Sequence, residues 1–457
     1  LSFAVGVIAL RRPSLGQVGI ALFGLLGALA AVTGPAGGLL DALPSVAGAA
    51  AGVLTLGALV APLRDPVPAA APAPAADPSD DAVLDRVRAV LGSTDRKGAG
   101  MDRRAFFVAS GVAAGVAVVS GGAGRLLQRR FDVAEARAVL TLPRPADPAP
   151  TVRAGADLAR DVDGLTPLFT RNTDFYRVDT ALSVPQIRPA DYRLQVGGMV
   201  DRARTWTLDE LLERRDLIER DITLTCVSNE VGGTLAGTAR WLGVPLGAFL
   251  REHGVRPEST QLLCRSGDGM TIGAPTRSAL EVEDAMLAFG MNGEPLPVQH
   301  GFPVRMVIPG LYGYVSACKW LVGMEATTYE AVDAYWTDRG WAADGPIKIS
   351  SRIDVPAPLR SFPAGRRPIA GVAWAQNRGI ERVEVKVDDE GWVAADLSPA
   401  VDADLWRQWV LPHDFAPGRH TLTVRAVSAD GEMQAEQRTA PFPSGATGWH
   451  TIQVVTT

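Results

Sequence analysis

The chain has 457 residues, of which 47% are hydrophobic and 21% are charged, and its formal net charge is −5. Its length accommodates about three domains, and this charge, without a long basic run, argues against nucleic-acid binding. The three cysteines, Cys226, Cys264 and Cys318, are too few for a disulfide framework, and none lies in a C-x-x-C motif. The composition therefore argues against zinc ribbons, thioredoxin-type redox sites and covalently bound c-type haem.

The first 64 residues contain only four charged side chains. We predict that residues 1–64 form transmembrane helices, the first one truncated. Two apolar stretches, at 15–32 and 42–63, are each near the length needed to cross a bilayer. Both are rich in glycine and alanine, which suits close helix packing in lipid. The alternative is a buried helical hairpin of a soluble protein.

A Pro/Ala-rich segment at 65–104 predicts an extended linker, and it ends near the pair Arg103-Arg104. The pair directly precedes an apolar, glycine-rich stretch at 105–127, which is typical of a twin-arginine signal or anchor helix. The alternative is an ordinary transmembrane helix whose arginines stay cytoplasmic. Both interpretations predict a multi-pass anchor in the cell membrane, with the folded region that follows on the extracytoplasmic side.

The five histidines all occur at or after His253. A haem b held between membrane helices usually needs histidine ligands. The sequence therefore predicts no haem in this chain and an anchoring or docking role for its membrane helices.

Residues 128–345 mix helical and strand patterns. Thr207 and Glu210 have the spacing of a capping box, which predicts the start of a helix. A second short helix is predicted at 245–253, with Gly254 as its C-terminal cap.

Two β-prone runs, at 222–227 and 304–308, predict strands. Cys226 closes the first run and is followed by a polar, glycine-rich turn. A thiol in this place is consistent with a nucleophile, a metal ligand or a buried spacer, and composition alone favours the spacer. A cysteine protease or thiol acyltransferase needs a histidine base. His300 is a candidate, but no other feature singles out a catalytic triad.

Five ordered motifs resemble the sulfite oxidase family of molybdenum enzymes. They are FTRNT at 169–173, TLTCVSNE at 223–230, MNGEPLP at 291–297, HGFPVR at 300–305 and CKW at 318–320. Five motifs in the family's order are far more specific than any single short pattern. The predicted twin-arginine signal agrees, since that export route carries proteins already folded around a cofactor.

The resemblance implies a molybdenum–molybdopterin cofactor. Cys226 would be the protein's thiolate ligand to molybdenum, and soft thiolate ligation suits such a centre. Arg171 would face the open side of the metal and bind an oxyanion. The predicted catalytic residues are therefore Arg171 and Cys226, and Cys226 is also the predicted metal ligand.

The resemblance also implies which residues contact the pterin and its phosphate. His300, Arg305 and Lys319 would hold them by charge-assisted hydrogen bonds. The family more often has histidine where Thr173 stands. The complete predicted set of cofactor contacts is Asn172, Thr173, Cys226, Asp268, His300, Arg305, Ala317 and Lys319.

This chain departs from the family where an active-site tyrosine is expected, about twenty residues beyond the Lys-Trp pair. The region reads YWTDRGW from Tyr335, with Gly340 or Trp341 near the expected place. Tyr335 is a candidate substitute, and Tyr312 and Tyr314 are further aromatic candidates. The departure leaves the substrate open.

Residues 346–457 show an all-β pattern. Valines alternate with charged residues at 383–387, as on a half-buried strand, and Asp430-Gly431 predicts a hairpin turn. Repeated short strands predict an immunoglobulin-like sandwich. The family's dimerisation domain is of this kind, so a homodimer is a candidate assembly.

The predicted fold class is α+β, with N-terminal transmembrane helices, a mixed α+β molybdopterin-binding domain of sulfite-oxidase type and a C-terminal immunoglobulin-like β-sandwich. The leading hypothesis is a membrane-anchored, extracytoplasmic oxidoreductase that oxidises sulfite to sulfate. Its electrons would pass to a separate carrier, either a cytochrome or a membrane redox protein. One alternative is a reductase of sulfoxides, such as protein methionine sulfoxide. An alternative of another class is a cofactor-free binding domain on an inherited fold.

Overall fold

The computed structural model describes residues 13–33, 42–60, 133–181 and 183–457. The predicted truncated first helix, the linker at 65–104 and the export-signal helix at 105–127 lie outside the described residues. The chain divides into two compact units, Leu1–Phe131 and Asp132–Thr457.

Two apolar helices form the described part of the first unit. They are α1, Pro13–Thr33, and α2, Leu43–Val60. Gly24 of α1 lies against Ala49 of α2, and a Cβ at position 24 would overlap the alanine. The glycine therefore permits the close approach of the two helices.

The two helices differ in how well they suit a membrane span. Of the described helices, α1 alone is long and apolar enough to cross a membrane, over Ser14–Val32. Helix α2, Leu43–Val60, has 18 residues and no charged side chain, which places it at the lower end of the length that spans hydrocarbon. Within the described residues, α1 thus supports one of the two predicted spans, and the second span stays a prediction.

The first half of the second unit is a mixed α+β fold, as predicted. Its strands are β1 (Arg193–Gly198), β2 (Arg204–Thr207), β3 (Ile218–Thr225), β4 (Ala236–Pro245), β5 (Gln261–Ser266), β6 (Thr271–Pro275), β7 (Met286–Met291), β8 (Glu294–Pro295), β9 (Arg305–Val307) and β10 (Leu321–Thr327). One sheet has the order β3-β4-β7-β8, with β9 also paired to β7, and the other has the order β2-β1-β10-β5-β6. Within these sheets β1 and β10 run parallel.

Short helices connect these strands. The α-helices are α3 (Ala134–Val139), α4 (Leu208–Leu212), α5 (Leu246–His253), α6 (Thr276–Glu281) and α7 (Gly313–Ser316), and the 3₁₀ turns are Leu158–Arg160, Pro189–Asp191 and Val298–His300.

Strand β7 lies at the centre of this region, and all of its residues are buried. Leu287 and Phe289 pack in one core with side chains of the other sheet, such as Leu194. On the opposite face, Met291 packs in a second core with Trp241. A strand covered on both faces needs a continuous apolar run, and the sequence MLAFGM provides one.

The two helix ends predicted from sequence are confirmed. The backbone N–H of Glu210 donates to Thr207 Oγ1 at 3.2 Å, and the N–H of Thr207 donates to the Glu210 carboxylate at 2.7 Å. This capping box begins α4. Helix α5 ends at Gly254, whose φ of 65° suits a residue without a Cβ.

The strands predicted at 222–227 and 304–308 are present as β3 and β9, with shifted ends. Strand β3 stops at Thr225, so Cys226 lies in the turn that follows. Its partner β4 continues antiparallel to it along the whole of its length.

The second half of this unit is all-β. Its strands are β11 (Ser350–Val355), β12 (Ser361–Phe362), β13 (Gly365–Trp374), β14 (Ile380–Val387), β15 (Val393–Ala394), β16 (Asp396–Leu397), β17 (Arg407–Phe415), β18 (Gly418–Ser428) and β19 (His450–Thr456). They form two sheets, with the orders β11-β13-β17-β16 and β12-β19-β18-β14-β15. Ile369 and Trp409 from the first sheet share a core with Val385 and Leu422 from the second. The strands thus form a two-sheet sandwich, and its immunoglobulin-like topology stays a prediction.

The sandwich covers the outer edge of β3. The N–H of Thr223 donates to the carbonyl of Asp404 at 2.9 Å, and the carbonyl of Thr223 accepts from Gln376 Nε2 at 3.0 Å. The backbone N–H of Trp406 donates to Thr223 Oγ1, and its indole N–H donates to the carbonyl of Leu168, both at 2.8 Å. An uncovered edge strand would carry unpaired backbone groups, so the sandwich completes this sheet.

We therefore expect Trp406→Ala to lower the free energy of unfolding by about 3–5 kcal/mol, because it leaves a cavity where a large buried side chain packs. Trp406→Phe keeps most of the volume and loses the indole hydrogen bond, so its cost is about 1 kcal/mol. Urea unfolding followed by circular dichroism measures both. Equal effects of the two substitutions would contradict this account of the junction.

Candidate functional site

A cavity lies next to the turn that follows β3. It is lined by six of the residues predicted from sequence, which are Cys226, Asp268, His300, Arg305, Ala317 and Lys319. Because these residues come from separate motifs, the fold brings together groups that are far apart in the chain.

Cys226 is held at the cavity wall by a closed turn. It is 9% exposed, and its Sγ lies 2.9 Å from Ser228 Oγ. Its backbone N–H donates to the carbonyl of Leu235 at 2.9 Å, and its carbonyl accepts from the N–H of Asn229 at 3.0 Å. The backbone is thus fixed on both sides of the thiol.

Arg305 is a buried cation at the start of β9 and is only 5% exposed. Its Nη1 donates to the carbonyl of His300 at 3.0 Å and its Nη2 to the carbonyl of Ala317 at 3.4 Å, while its Nε has no partner. Burial lowers the pKa of Arg305 to about 10. No carboxylate in the described part of the chain pairs with it. An uncompensated buried charge is costly, so this arrangement suits an anionic ligand.

His300 is buried beside Arg305 and is neutral at pH 7. Its Nε2 lies 3.0 Å from the carbonyl oxygen of Asn172. A carbonyl only accepts hydrogen bonds, so Nε2 carries the proton and Nδ1 is an acceptor. Burial, and then the nearby charge of Arg305, lower the pKa of His300 to about 4.

Lys319 is the second cation of the cavity and already has an acidic partner. Its Nζ lies 2.7 Å from Oδ2 of Asp179 and 3.2 Å from the carbonyl oxygen of Val178. It also lies 4.7 Å from the ring centroid of Trp320. Burial lowers the pKa of Lys319 to about 8, and the Asp179 carboxylate opposes this shift.

Asp268 and Ala317 complete the predicted residues in the cavity. The carboxylate of Asp268 accepts from the backbone N–H of Met270 at 3.2 Å, which fixes a tight turn. Ala317 follows α7, and its carbonyl accepts from Arg305. Ala317 therefore takes part through its backbone, as the resemblance implies.

The side chains of Arg171, Asn172 and Thr173 are not among those that line the cavity. The side chain of Arg171 is 80% exposed, and its Nη2 lies 2.6 Å from the carboxylate of Asp174. Thr173 Oγ1 donates to the same carboxylate at 3.0 Å. Asn172 reaches a cavity residue only through its carbonyl, which accepts from His300. The neighbouring acid thus holds Arg171 at the surface, and this geometry gives no support for a metal-facing role.

Three aromatic side chains, Tyr314, Trp336 and Trp341, form one wall of the cavity. We call them the aromatic wall. They pack in a cluster with Val227, the residue that follows the thiol. Trp341 also packs edge-on against Phe442, with ring centroids 5.3 Å apart. The aromatic wall therefore lies at the thiol end of the cavity and is supported by the C-terminal half of the unit.

The three tyrosine candidates predicted from sequence differ in whether they line the cavity. Tyr314 lines the cavity, whereas Tyr335 does not; the guanidinium of Arg339 lies 3.7 Å from its ring centroid. The hydroxyl of Tyr312 accepts from the backbone N–H of Lys348 at 3.4 Å. In the stretch of sequence where the tyrosine is expected, the side chains that line the cavity are those of Trp336 and Trp341.

Tyr176 and Asp179 line the cavity but are absent from the site residues predicted from sequence. Tyr176 stacks on Phe175 with ring centroids 5.3 Å apart, and burial raises the pKa of Tyr176, so it is a hydrogen-bond donor at neutral pH. The one available signal was their position directly after the FTRNT motif.

The donor set of the cavity fits a phosphate-bearing cofactor with a soft metal. Cys226 offers a thiol for the metal. Arg305 offers an unpartnered Nε–H and an unbalanced positive charge, and His300 offers Nδ1. Guanidinium and ammonium groups are the usual partners of phosphate in proteins.

Comparisons with known proteins agree with this donor set. Residues 181–336 match a family model described as oxidoreductase molybdopterin binding domain. The chain is 29% identical over 344 residues to the sulfite oxidase of Gallus gallus, covering 63% of this chain and 72% of that protein. It is 29% identical over 338 residues to the mitochondrial sulfite oxidase of Homo sapiens, covering 63% of this chain and 60% of that protein.

A solved structure shares the fold. The sulfane dehydrogenase SoxCD from Paracoccus pantotrophus aligns with a TM-score of 0.54 at 23% identity, covering 62% of this chain and 80% of that chain. The family-model match at 181–336 includes all six predicted residues that line the cavity. It begins after Arg171, Asn172 and Thr173.

The state of His300 gives a testable pH dependence. The pKa of His300 is lowered from 6.5 to about 4 in the folded chain, so the unfolded chain binds one more proton between these values. The free energy of unfolding therefore falls as the pH falls through this window, by up to about 1.4 kcal/mol per pH unit for this group. We expect His300→Gln to remove that contribution.

Urea unfolding of wild type and His300→Gln between pH 7 and pH 4 measures the difference. Burial also lowers the pKa of His450 to about 4. His450 is present in both proteins, so it contributes equally to the pH dependence of each. Identical pH dependence of the two proteins would show that folding does not shift the pKa of His300, and would contradict its neutral state in the cavity below pH 6.5.

Proposed function

Because the chain belongs to the sulfite oxidase family of molybdopterin-dependent oxidoreductases, we propose that it oxidises sulfite to sulfate at a molybdenum–molybdopterin centre. The observation that carries this proposal is the buried guanidinium of Arg305, which shares a cavity with the thiol of Cys226 and has no carboxylate partner among the described residues. An anionic cofactor that takes a sulfur ligand satisfies both groups.

When bound, the molybdenum centre supplies two-electron oxo transfer to sulfur. Sulfite gains an oxygen that derives from water, giving sulfate, two protons and two electrons. Cys226 would supply the protein's thiolate ligand from its fixed turn. Arg305 and Lys319 would bind the cofactor's phosphate, and His300 would offer Nδ1 as an acceptor while Nε2 stays tied to the backbone.

We propose that a separate carrier, either a cytochrome or a membrane redox protein, accepts the electrons. The predicted membrane anchor contains no histidine, and so no pair of histidine ligands for a haem. A homodimer through the sandwich stays a prediction. The cofactor-free alternative is disfavoured, since it would leave the charge of Arg305 buried and unbalanced.

Helix α1 supports attachment to a membrane by a span near the start of this sequence, and the predicted twin-arginine signal supports a catalytic region on the extracytoplasmic side. An apolar helix near the N-terminus is also typical of a signal sequence. Among the described helices, α1 alone meets the length and hydropathy of a span, so a multi-pass anchor has no support there.

Reduction of a neutral organic sulfoxide is the second candidate, and the aromatic wall favours it. Sulfite is a small anion and gains little from contact with tryptophan faces, whereas an organic sulfoxide carries apolar arms. The exposed position of Arg171 is consistent with a neutral substrate, because the cation predicted to bind an oxyanion does not lie in the cavity.

The first test is sulfite-dependent reduction of ferricyanide by molybdenum-loaded protein. We expect turnover in wild type and a loss of more than about a hundredfold in Cys226→Ser, because removal of a ligand weakens a metal site more than removal of a supporting hydrogen bond. Cys264→Ala is the matched control, since Cys264 is buried outside the cavity.

Molybdenum content of each protein separates loss of the metal from loss of chemistry. Full molybdenum occupancy in wild type without sulfite turnover would reject sulfite as the substrate. Sulfoxides would then be assayed with a reduced dye as the electron donor.

The aromatic wall gives a separate test of substrate class. If its members contact the apolar arms of a sulfoxide, Trp341→Ala raises KM for methyl phenyl sulfoxide roughly tenfold, the value of a lost aromatic contact. The same substitution leaves KM for sulfite within about twofold. Trp392→Ala, on the sandwich away from the cavity, is the control. A parallel rise in both KM values would show that the wall supports the site as a whole and does not select the substrate.

A further inference from the structure

Asp179 is a buried acid in the cavity that the proposed function does not use. Its side chain is 7% exposed. Oδ2 lies 2.7 Å from Nζ of Lys319 and also 2.7 Å from Nε of Arg177. The carboxylate of Asp179 thus forms ion pairs with two cations, Arg177 from its own segment and Lys319 from a distant one.

The two cations of the cavity therefore differ in how available they are to a ligand. Arg305 has backbone carbonyls as partners and no acid among the described residues. Lys319 is already neutralised by Asp179 at hydrogen-bonding distance. A phosphate that approaches Lys319 meets a carboxylate of the same charge beside it, and like charges at this range oppose each other strongly.

The contacts around Asp179 allow Lys319 to change partners without leaving a charge unpaired. If Lys319 turns towards a phosphate, Asp179 keeps its bond to Arg177. Lys319 in turn keeps a second donor position, now occupied by the carbonyl of Val178 at 3.2 Å. Only the contact between Nζ and Oδ2 has to break.

We propose that Asp179 is an internal counter-anion for Lys319. When the cofactor binds, its phosphate displaces Asp179 from Lys319. Asp179 is thereby a positioning residue that acts through Lys319 and sets how tightly the cofactor-free protein binds a phosphate in this cavity. This inference rests on the proposed cofactor site, but not on the identity of the substrate.

Calorimetric binding of inorganic phosphate to cofactor-free full-length protein tests the proposal without any turnover. We expect Asp179→Asn, which keeps the shape of the side chain and removes its charge, to lower the Kd for phosphate roughly tenfold. In the Lys319→Gln background the same substitution should have no effect, because its action requires the ammonium group. Asp191→Asn is the matched control, since Asp191 pairs with Arg188 outside the cavity.

A second variant moves binding in the opposite direction. Arg177→Gln removes the alternative partner of Asp179, so the carboxylate holds Lys319 more firmly and the Kd for phosphate rises. General destabilisation cannot produce opposite shifts in two neighbouring variants. Unchanged or weaker phosphate binding by Asp179→Asn would overturn the proposal, as would tighter binding that persists in the Lys319→Gln background.

Molybdenum content gives an independent reading. We expect Asp179→Asn to retain at least the wild-type content after dialysis, and Arg177→Gln to retain less. Failure of sulfite oxidation would leave these results intact, because phosphate binding and metal retention are measured without substrate.

Discussion

The guanidinium of Arg305 lies in the protein interior, where it donates to two backbone carbonyls and lies 5.0 Å from the ring centroid of Trp241, and no carboxylate among the described residues balances its charge. Burial of such a charge is costly and favours a ligand of opposite charge. The other titratable groups of the cavity leave the charge of Arg305 unbalanced. His300 stays neutral beside it and adds no second positive charge, and Lys319 is balanced by Asp179. The result is a pocket with one unbalanced charge, next to the thiol of Cys226, which constrains both the kind of cofactor it accepts and the orientation in which that cofactor fits.

The residues that sequence motifs identify are those whose role depends on local backbone. Cys226 closes a β-prone run and precedes a glycine-rich stretch, and the structure places it in the turn directly after β3. His300 and Arg305 lie five residues apart, so a short 3₁₀ turn and the start of β9 suffice to bring them together. The capping box at α4 and the glycine at the end of α5 were predictable for the same reason, because each depends on neighbours within a few positions.

Most of what sequence did not provide depends on contacts between distant segments. Arg171 is the exception, because it lies within the FTRNT motif and a local ion pair with Asp174, three residues later, holds its side chain at the surface. The cavity contact of Asp179 exists only because its segment folds back over Lys319, well over a hundred residues away. Trp341, near the place where the tyrosine is expected, packs against Phe442, a contact between separate segments that no local pattern encodes.

The hydrogen bonds between Thr223 and the sandwich impose an order on the biogenesis of this chain. Strand β3 leaves the ribosome long before Gln376, Asp404 and Trp406 are synthesised, so its outer edge stays open until the C-terminal half arrives. The turn that carries Cys226 directly follows this strand. If the proposed cofactor binds here, we expect its insertion only after the C-terminal half is made, because a shorter chain leaves this turn beside an open strand edge.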